Sequence, residues 1–219
     1  LFSLKIGFGA ESIVLLIGIT VGLLAALSTR WTDGILMRIT DLTYAFPDLL
    51  AIILFRQILI GRDWPIIGSG NPQIPGLPGY LLVTIMAISF VSWVTIARLV
   101  RGQMLSIKQL DYVTAATAVG ASRWRIVRVH MLPNTLGPVI VAVVYGIPLA
   151  MFAEAVLGFI GIGLQPPTAS LGLLISDGYN YIQSHVWMVV FPTGTLALLM
   201  LCFTFLGDGL RDALDPRSR

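Results

Sequence analysis

Apolar residues along this chain come in long runs rather than in the spaced stripes of a water-soluble fold, and polar punctuation divides them into five segments. Each is judged against the ~20 residues that cross a hydrocarbon core of about 30 Å. Ser12–Ser28, Tyr80–Val100, Leu136–Leu157 and Trp187–Leu206 read as spans. Leu36–Ile60 is interrupted by Asp41, Pro47, Asp48 and Arg56, so its core is Pro47–Ile60, extended by a helix that starts outside the hydrocarbon. Pro65, Pro72, Pro75 and Pro78, with intervening glycines, make 61–79 an irregular external loop. A second external loop covers 158–186. No long soluble domain fits anywhere, so residues 1–219 read as one polytopic, all-α transmembrane domain.

Composition agrees with that pattern. With 56% hydrophobic and 11% charged residues and a mean hydropathy of +0.87, the chain has too little polar surface for a soluble globule. Cys202 is the single cysteine and can form no internal disulfide. Leu1–Gly9 lacks the basic start and cleavage site of a secretory leader, and an upstream piece is expected. Charge then sets the orientation. Eleven of the fourteen lysines and arginines fall on one side if the connection after Val100 is cytoplasmic, and 158–186 holds none. Lys and Arg concentrate inside, so 101–134 and the C-terminus are expected in the cytoplasm. A sixth, N-terminal span would restore an even count. The net charge of +3 is accounted for by topology and needs no nucleic acid.

The polar stretch Asp111–Asn134, "DYVTAATAVGASRWRIVRVHMLPN", reads as a bent helix pair. Tyr112–Val119 offers a face of small residues, Ala115, Ala116 and Ala118, that another surface can approach closely. Gly120 is placed to end that helix, because glycine enters the left-handed cap conformation without steric cost. Ser122 can cap a second helix, Arg123–Met131, with Arg125 and Arg128 on one side and Trp124, Val127 and Met131 on another. Pro133 is expected to stop it, and Asn134 to cap the next span. On charge alone, an ordinary basic cytoplasmic loop or a basic helix resting on anionic headgroups is the better explanation of the stretch.

The ordered spacing narrows the choice. Ala115-Ala116-x3-Gly120-x9-His130-x-Leu132-Pro133 resembles the coupling loop of permease subunits of bacterial ATP-binding cassette importers. "GILMRITDLTYAFPDLL" (Gly34–Leu50), "GLQPPTASLG" (Gly163–Gly172) and "LGDGLRDALDPR" (Leu206–Arg217) resemble the C-type permease of the dipeptide, oligopeptide and nickel branch. The resemblance covers nearly the whole chain and implies the bundle of a type I importer permease in a bacterial inner membrane. It further implies four partners beside the lipid bilayer: a B-type sister permease, two cytoplasmic cassette ATPases that bind ATP and Mg, and an extracytoplasmic solute-binding protein. In the family the coupling helix inserts into a groove of the ATPase. Peptides are the implied cargo, with nickel or another small solute open. The chain departs from the pattern at Thr114, where the family has glutamate. It also departs in the longer, more polar Phe55–Gly79, and the family's first extracytoplasmic segment is represented at most by Leu1–Gly9.

Within the spans, Glu154 has two readings: a satisfied group pinning the external end of its helix, or a contact for a substrate amine. Ser89, Ser92 and Thr95 form a polar stripe that serves either interhelical hydrogen bonding or a translocation path. Gly18, Gly22 and Ala26 mark a close-packing seam. Pro138, Pro148 and Pro192 are expected to kink their helices. No phosphate-binding loop occurs, so the chain is not read as an ATPase, and no metal or cofactor is assigned to it. His130 and His185 fall on opposite sides of the membrane and cannot share a metal. The pinned topology places Asp177, Tyr179, Asn180 and Tyr181 on a lysine-free external surface for the binding protein. A secondary transporter or channel is the competing class, and it should show more intramembrane ion-coupling residues than Glu154.

Overall fold

A computed structural model describes residues 1–60, 79–164, 166 and 168–214, and the described residues form only helices and their connections. In chain order these are α1 (Phe2–Leu27), α2 (Arg30–Tyr44), α3 (Asp48–Ile60), α4 (Gly79–Ile107), α5 (Asp111–Ala118), α6 (Arg123–Arg125), a π-helical turn Ile126–Met131, α7 (Leu132–Phe159), α8 (Leu171–Tyr179) and α9 (Trp187–Leu214). Four stretches are long and apolar enough to cross a membrane: α1, α4, α9 and the 37-residue run Arg123–Phe159. The pair α2 and α3, bent by 94°, makes a fifth if counted as one broken span. The expected external loop 61–79 lies outside the described residues except for Gly79, as do residues 215–217 of the C-terminal motif.

The bundle is built on α1 and α4, its most extensive pair. Gly18 and Gly22 bring the two backbones together: a Cβ on Gly22 would stand 2.7 Å from the Ala97 carbonyl oxygen. Ile6, Ala10, Ile85, Ile88 and Leu157 close the core toward one end. Val14, Ile96, Val100, Met104 and Val139 close it toward the other. α9 packs along α7 and α8 yet buries only Leu196 and Gly207. Its side chains Phe191, Leu198, Leu201 and Phe205 stay exposed, which suits lipid or another membrane chain.

Several boundaries move from where hydropathy put them. α1 begins at Phe2, ten residues before Ser12, so Leu1–Gly9 is not a separate extracytoplasmic segment. Ser3 and Ile6 are buried in its first turns. The basic connection is shorter than 101–134, because α4 continues through Arg101 to Ile107. The break between α2 and α3 falls at Pro47, whose ring disfavours helical backbone in Phe46 while its own carbonyl starts α3 by accepting Ala51 N–H.

Two acids of α2 have partners on α4, and one of them, Asp41, is among the charges that interrupt the second apolar run. Asp33 takes a two-pronged bond from Arg101, Nε at 2.5 Å and a terminal nitrogen at 2.6 Å. Asp41 pairs with Arg98 at 2.6 Å, and the Arg98 guanidinium lies 4.9 Å from the Tyr44 ring centroid. These pairs fasten α2 across the end of α4. Asp33→Asn is expected to leave the fold intact and destabilise it by about 1 kcal/mol, since the pair is partly exposed yet bidentate. A thermal midpoint equal to wild type would deny the pair that task.

Candidate functional site

The elbow begins where α4 ends. α5 exposes its Ala115 and Ala118 and buries only Val113, which packs with Met104, Ile107, Ile126, Val127 and Met131. Its outer surface is free while its inner edge is keyed to α4 and to the helix that follows. Gly120 has φ +87°, the left-handed value that the sequence pattern required. Gly120 N–H bonds the Thr117 carbonyl and Ala121 N–H bonds the Ala116 carbonyl, each at 3.0 Å, which is the Schellman arrangement for ending a helix. Ser122 then caps the next helix by accepting Arg125 N–H at 3.4 Å.

Pro133 does not stop that helix. Arg123 to Phe159 runs unbroken, with Pro133 in the first turn of α7. The preceding π-helical turn explains the tolerance. Leu132 N–H reaches back five residues to the Val127 carbonyl, and this wider turn relieves the crowding that a proline ring imposes on an α-helix. Asn134 caps nothing: its Nδ2 donates to the His130 carbonyl at 2.6 Å and to the Tyr112 hydroxyl at 3.4 Å. The π turn also breaks the expected face. Val127 and Met131 are buried, but Trp124, which precedes the turn, is 63% exposed and stacks with Arg128.

The motif residues thus gather at one elbow with different tasks. His130 is half-buried, its ring 6.1 Å from that of Tyr112. Leu132 is half-buried and Pro133 exposed. Thr114 bonds only weakly to its own helix, at 3.5 Å to the Leu110 carbonyl, and borders a groove of about 540 Å³ with Lys108, Thr117 and Arg123. Thr114 thus presents a neutral hydroxyl on a groove that Lys108 and Arg123 also line.

The intramembrane residues do not form one path. Ser89 donates to the Ile85 carbonyl at 2.7 Å and the Ala10 carbonyl at 3.1 Å, so it joins α4 to α1. Glu154 is fully buried and accepts the Ser3 hydroxyl at 2.9 Å, with Ser170 bonded to it as well. Ser89 is thus engaged between two helices, while Glu154 holds Ser3 on Oε2 and leaves Oε1 buried without a partner. Ser92 and Thr95, one and two turns further along α4, do line an open cavity of about 520 Å³ between α1, α3, α4 and α7.

Three residues to which the sequence pattern assigns no task matter here. Glu11 of α1 is 4% exposed and lines the same cavity. Arg56 of α3 is buried and donates to the Gly163 carbonyl at 2.7 Å, latching the segment after α7. The Tyr145 hydroxyl donates to Asp208, joining α7 to α9 within the C-terminal motif. At the end of α8, Tyr179 and the following Tyr181 are more than half exposed, and Asn180 donates to the Ser176 carbonyl.

Comparison with known proteins places these features. Residues 18–219 match the family described as "Binding-protein-dependent transport system inner membrane component". The chain is 42% identical over 218 residues to the dipeptide transport system permease protein DppC of Bacillus subtilis, covering 99% of this chain and 62% of that protein. It is 36% identical over 217 residues to the oligopeptide transport system permease protein OppC of the same organism, covering 99% of this chain and 65% of that one. It therefore spans less than two thirds of the length of these relatives. Among solved structures, a chain of the inward-facing MetNI methionine ABC transporter superposes with a TM-score of 0.74 at 21% identity, over 98% of this chain and 93% of that chain. A chain of an amino acid ABC transporter superposes with a TM-score of 0.71 at 16% identity, over 96% and 90%. At those identities the likeness is one of fold, that of ABC importer permeases.

Proposed function

The chain belongs to the binding-protein-dependent transport system inner membrane components, and from that premise we propose that it is the C-type membrane subunit of an ATP-driven importer of di- or oligopeptides. It would form half of the translocation path, facing a B-type sister permease. Two cytoplasmic cassette ATPases would supply the ATP and Mg chemistry, this chain having no nucleotide site of its own. An extracytoplasmic binding protein would deliver cargo to the α8 side. The elbow and the C-terminus lie in the cytoplasm on this reading, in line with the distribution of Lys and Arg.

One observation carries the proposal: the elbow is outwardly bare and inwardly rigid. α5 shows a small-residue surface, and its single buried side chain, Val113, belongs to the same apolar cluster as Val100 and Met104 of α4 and Val139 of α7. A push on α5 would reach that cluster through Val113, since packed side chains transmit displacement. The unbroken run from Arg123 to Phe159 carries it toward the opposite side of the bundle. Closure of the cassettes would thus tilt α4 and α7 together and change access to the cavity between them. Such coupling requires only that the ATP-bound state grip the elbow differently from the open state. The names of the dipeptide and oligopeptide relatives support peptides as cargo.

The test is co-purification from the native operon followed by uptake into proteoliposomes. Two cassette ATPases and a second permease should accompany the chain, and dipeptide uptake should require ATP and the binding protein. Recovery as a stable stand-alone channel would overturn the assignment.

A further inference from the structure

We propose that Glu11 receives the ammonium group of the transported peptide as it passes through the cavity between α1, α3, α4 and α7. The inference rests on the importer reading above and deepens it by naming a recognition point.

Glu11 is set apart by what it lacks. It is 4% exposed, and among the described residues no hydrogen bond or ion pair reaches its carboxylate. Buried carboxylates are ordinarily paired, because an isolated charge in a low-dielectric interior is costly. The other deeply buried acid of this chain, Glu154, holds the Ser3 hydroxyl on Oε2, and only its Oε1 is left without a partner. The buried cation of the bundle, Arg56, is used on Gly163. None of the residues lining the cavity around Glu11 is Lys, Arg or His. Space has nevertheless been cleared for the carboxylate: a Cβ on Gly146 would stand 2.3 Å from Glu11 Oε1. Any residue but glycine at 146 would push the acid out of its place.

The rest of the cavity says what the missing partner is. Its volume of about 520 Å³ falls in the range that holds small ligands. Val14, Ile52, Ile88 and Leu149 make most of the wall apolar, while Ser92 and Thr95 add hydroxyls and Asp48 stands at the exposed rim. A buried carboxylate in a mostly apolar wall, with a second one at the rim, complements an ammonium on an apolar body. A divalent metal ion asks for several converging ligands, and no group of three His, Cys, Asp or Glu side chains placed to hold one occurs among the described residues. The observations therefore favour an organic cation over nickel at this point. Peptide and cavity would pair for the duration of passage, and the paired acid would regain the stability that its solitary burial forgoes.

The experiment uses the assembled importer with its binding protein in proteoliposomes and trialanine as the probe. Glu11→Gln keeps the size and one oxygen acceptor and removes the charge. It should lower the maximal rate of ATP-dependent uptake at least tenfold while the binding protein's affinity for trialanine and the yield of intact complex stay unchanged. Glu11→Asp should retain most of the uptake. Equal uptake by Glu11→Gln and wild type would overturn the assignment. A fall in complex yield matching the fall in uptake would also overturn it, by giving Glu11 a structural task. Wild-type uptake of nickel ions in place of trialanine would overturn the ammonium assignment and keep the importer. A wild-type assembly that imports nothing strikes the importer reading itself.

Discussion

Replacing Gly120 by valine is expected to abolish ATP-driven uptake while ATP hydrolysis by the assembled complex continues. The residue sits at φ +87°, and a Cβ there would meet nothing within 4 Å. Loss of function would therefore come from the backbone and not from a clash. An L-residue in the left-handed region costs roughly 1–2 kcal/mol, and a β-branched one more, because its branched carbon crowds the following carbonyl. A penalty of about 2 kcal/mol changes a local equilibrium some 30-fold. That is small beside the stability of a whole domain, so insertion and assembly should survive. It is large for the two bonds that fix the elbow, Gly120 N–H to Thr117 and Ala121 N–H to Ala116. α5 would lose its fixed angle to the helix at Arg123, and cassette motion would no longer reach α7. Gly120→Asn, which tolerates the same conformation, should retain most of the uptake. Uncoupled hydrolysis in both variants, or full uptake in both, would remove the turn from the coupling path.

How much of this was visible beforehand follows from the range over which each signal acts. The spans, Gly120, the Ser122 cap and the Gly18–Gly22 seam depend on neighbours within one or two turns, and periodicity finds them. Pro133 misled because the rule that proline ends a helix assumes an α-helical turn before it. The π-helical turn Ile126–Met131 has no marker in its own residues. The same turn rotated Trp124 away from the face shared by Val127 and Met131. Ser89 and Ser92 look equivalent on a helical wheel, yet one meets the Ala10 carbonyl and the other meets a cavity. That difference is set by α1, more than 75 residues earlier in the chain. Glu11 was passed over because an apolar window opens just after it, at Ser12. A helical wheel drawn across that boundary would have found it, since positions 11, 18 and 22 fall on one stripe of α1. Arg56 and Asp41 looked like defects in a span, and their partners, Gly163 and Arg98, are reached only by folding.

The seam between α1 and α4 supplies a contest of effects whose sign can be stated in advance. Glycine within a helix costs about 1 kcal/mol relative to alanine, so Gly22→Ala would be stabilising if propensity alone decided. The Cβ of that alanine would lie 2.7 Å from the Ala97 carbonyl oxygen and 2.7 Å from Val100 Cβ. One of these atoms is backbone and the other is bound directly to it, so neither can swing aside as the end of a flexible side chain could. α1 would have to retreat along its length, loosening Val14, Ile96 and Val100 together. Overpacking of this kind costs about 1–3 kcal/mol, enough to cancel or exceed the propensity gain, and Gly22→Leu should exceed it by far. Gly102, on α4 itself, has nothing within 4 Å of its would-be Cβ. Gly102→Ala should therefore raise the thermal midpoint of the solubilised protein while Gly22→Ala lowers it and Gly22→Leu prevents assembly. The two alanine variants differ in packing alone, which makes the opposite signs the measure of the seam. If both raised the midpoint equally, α1 and α4 would not be in the close contact on which the cavity around Glu11 depends.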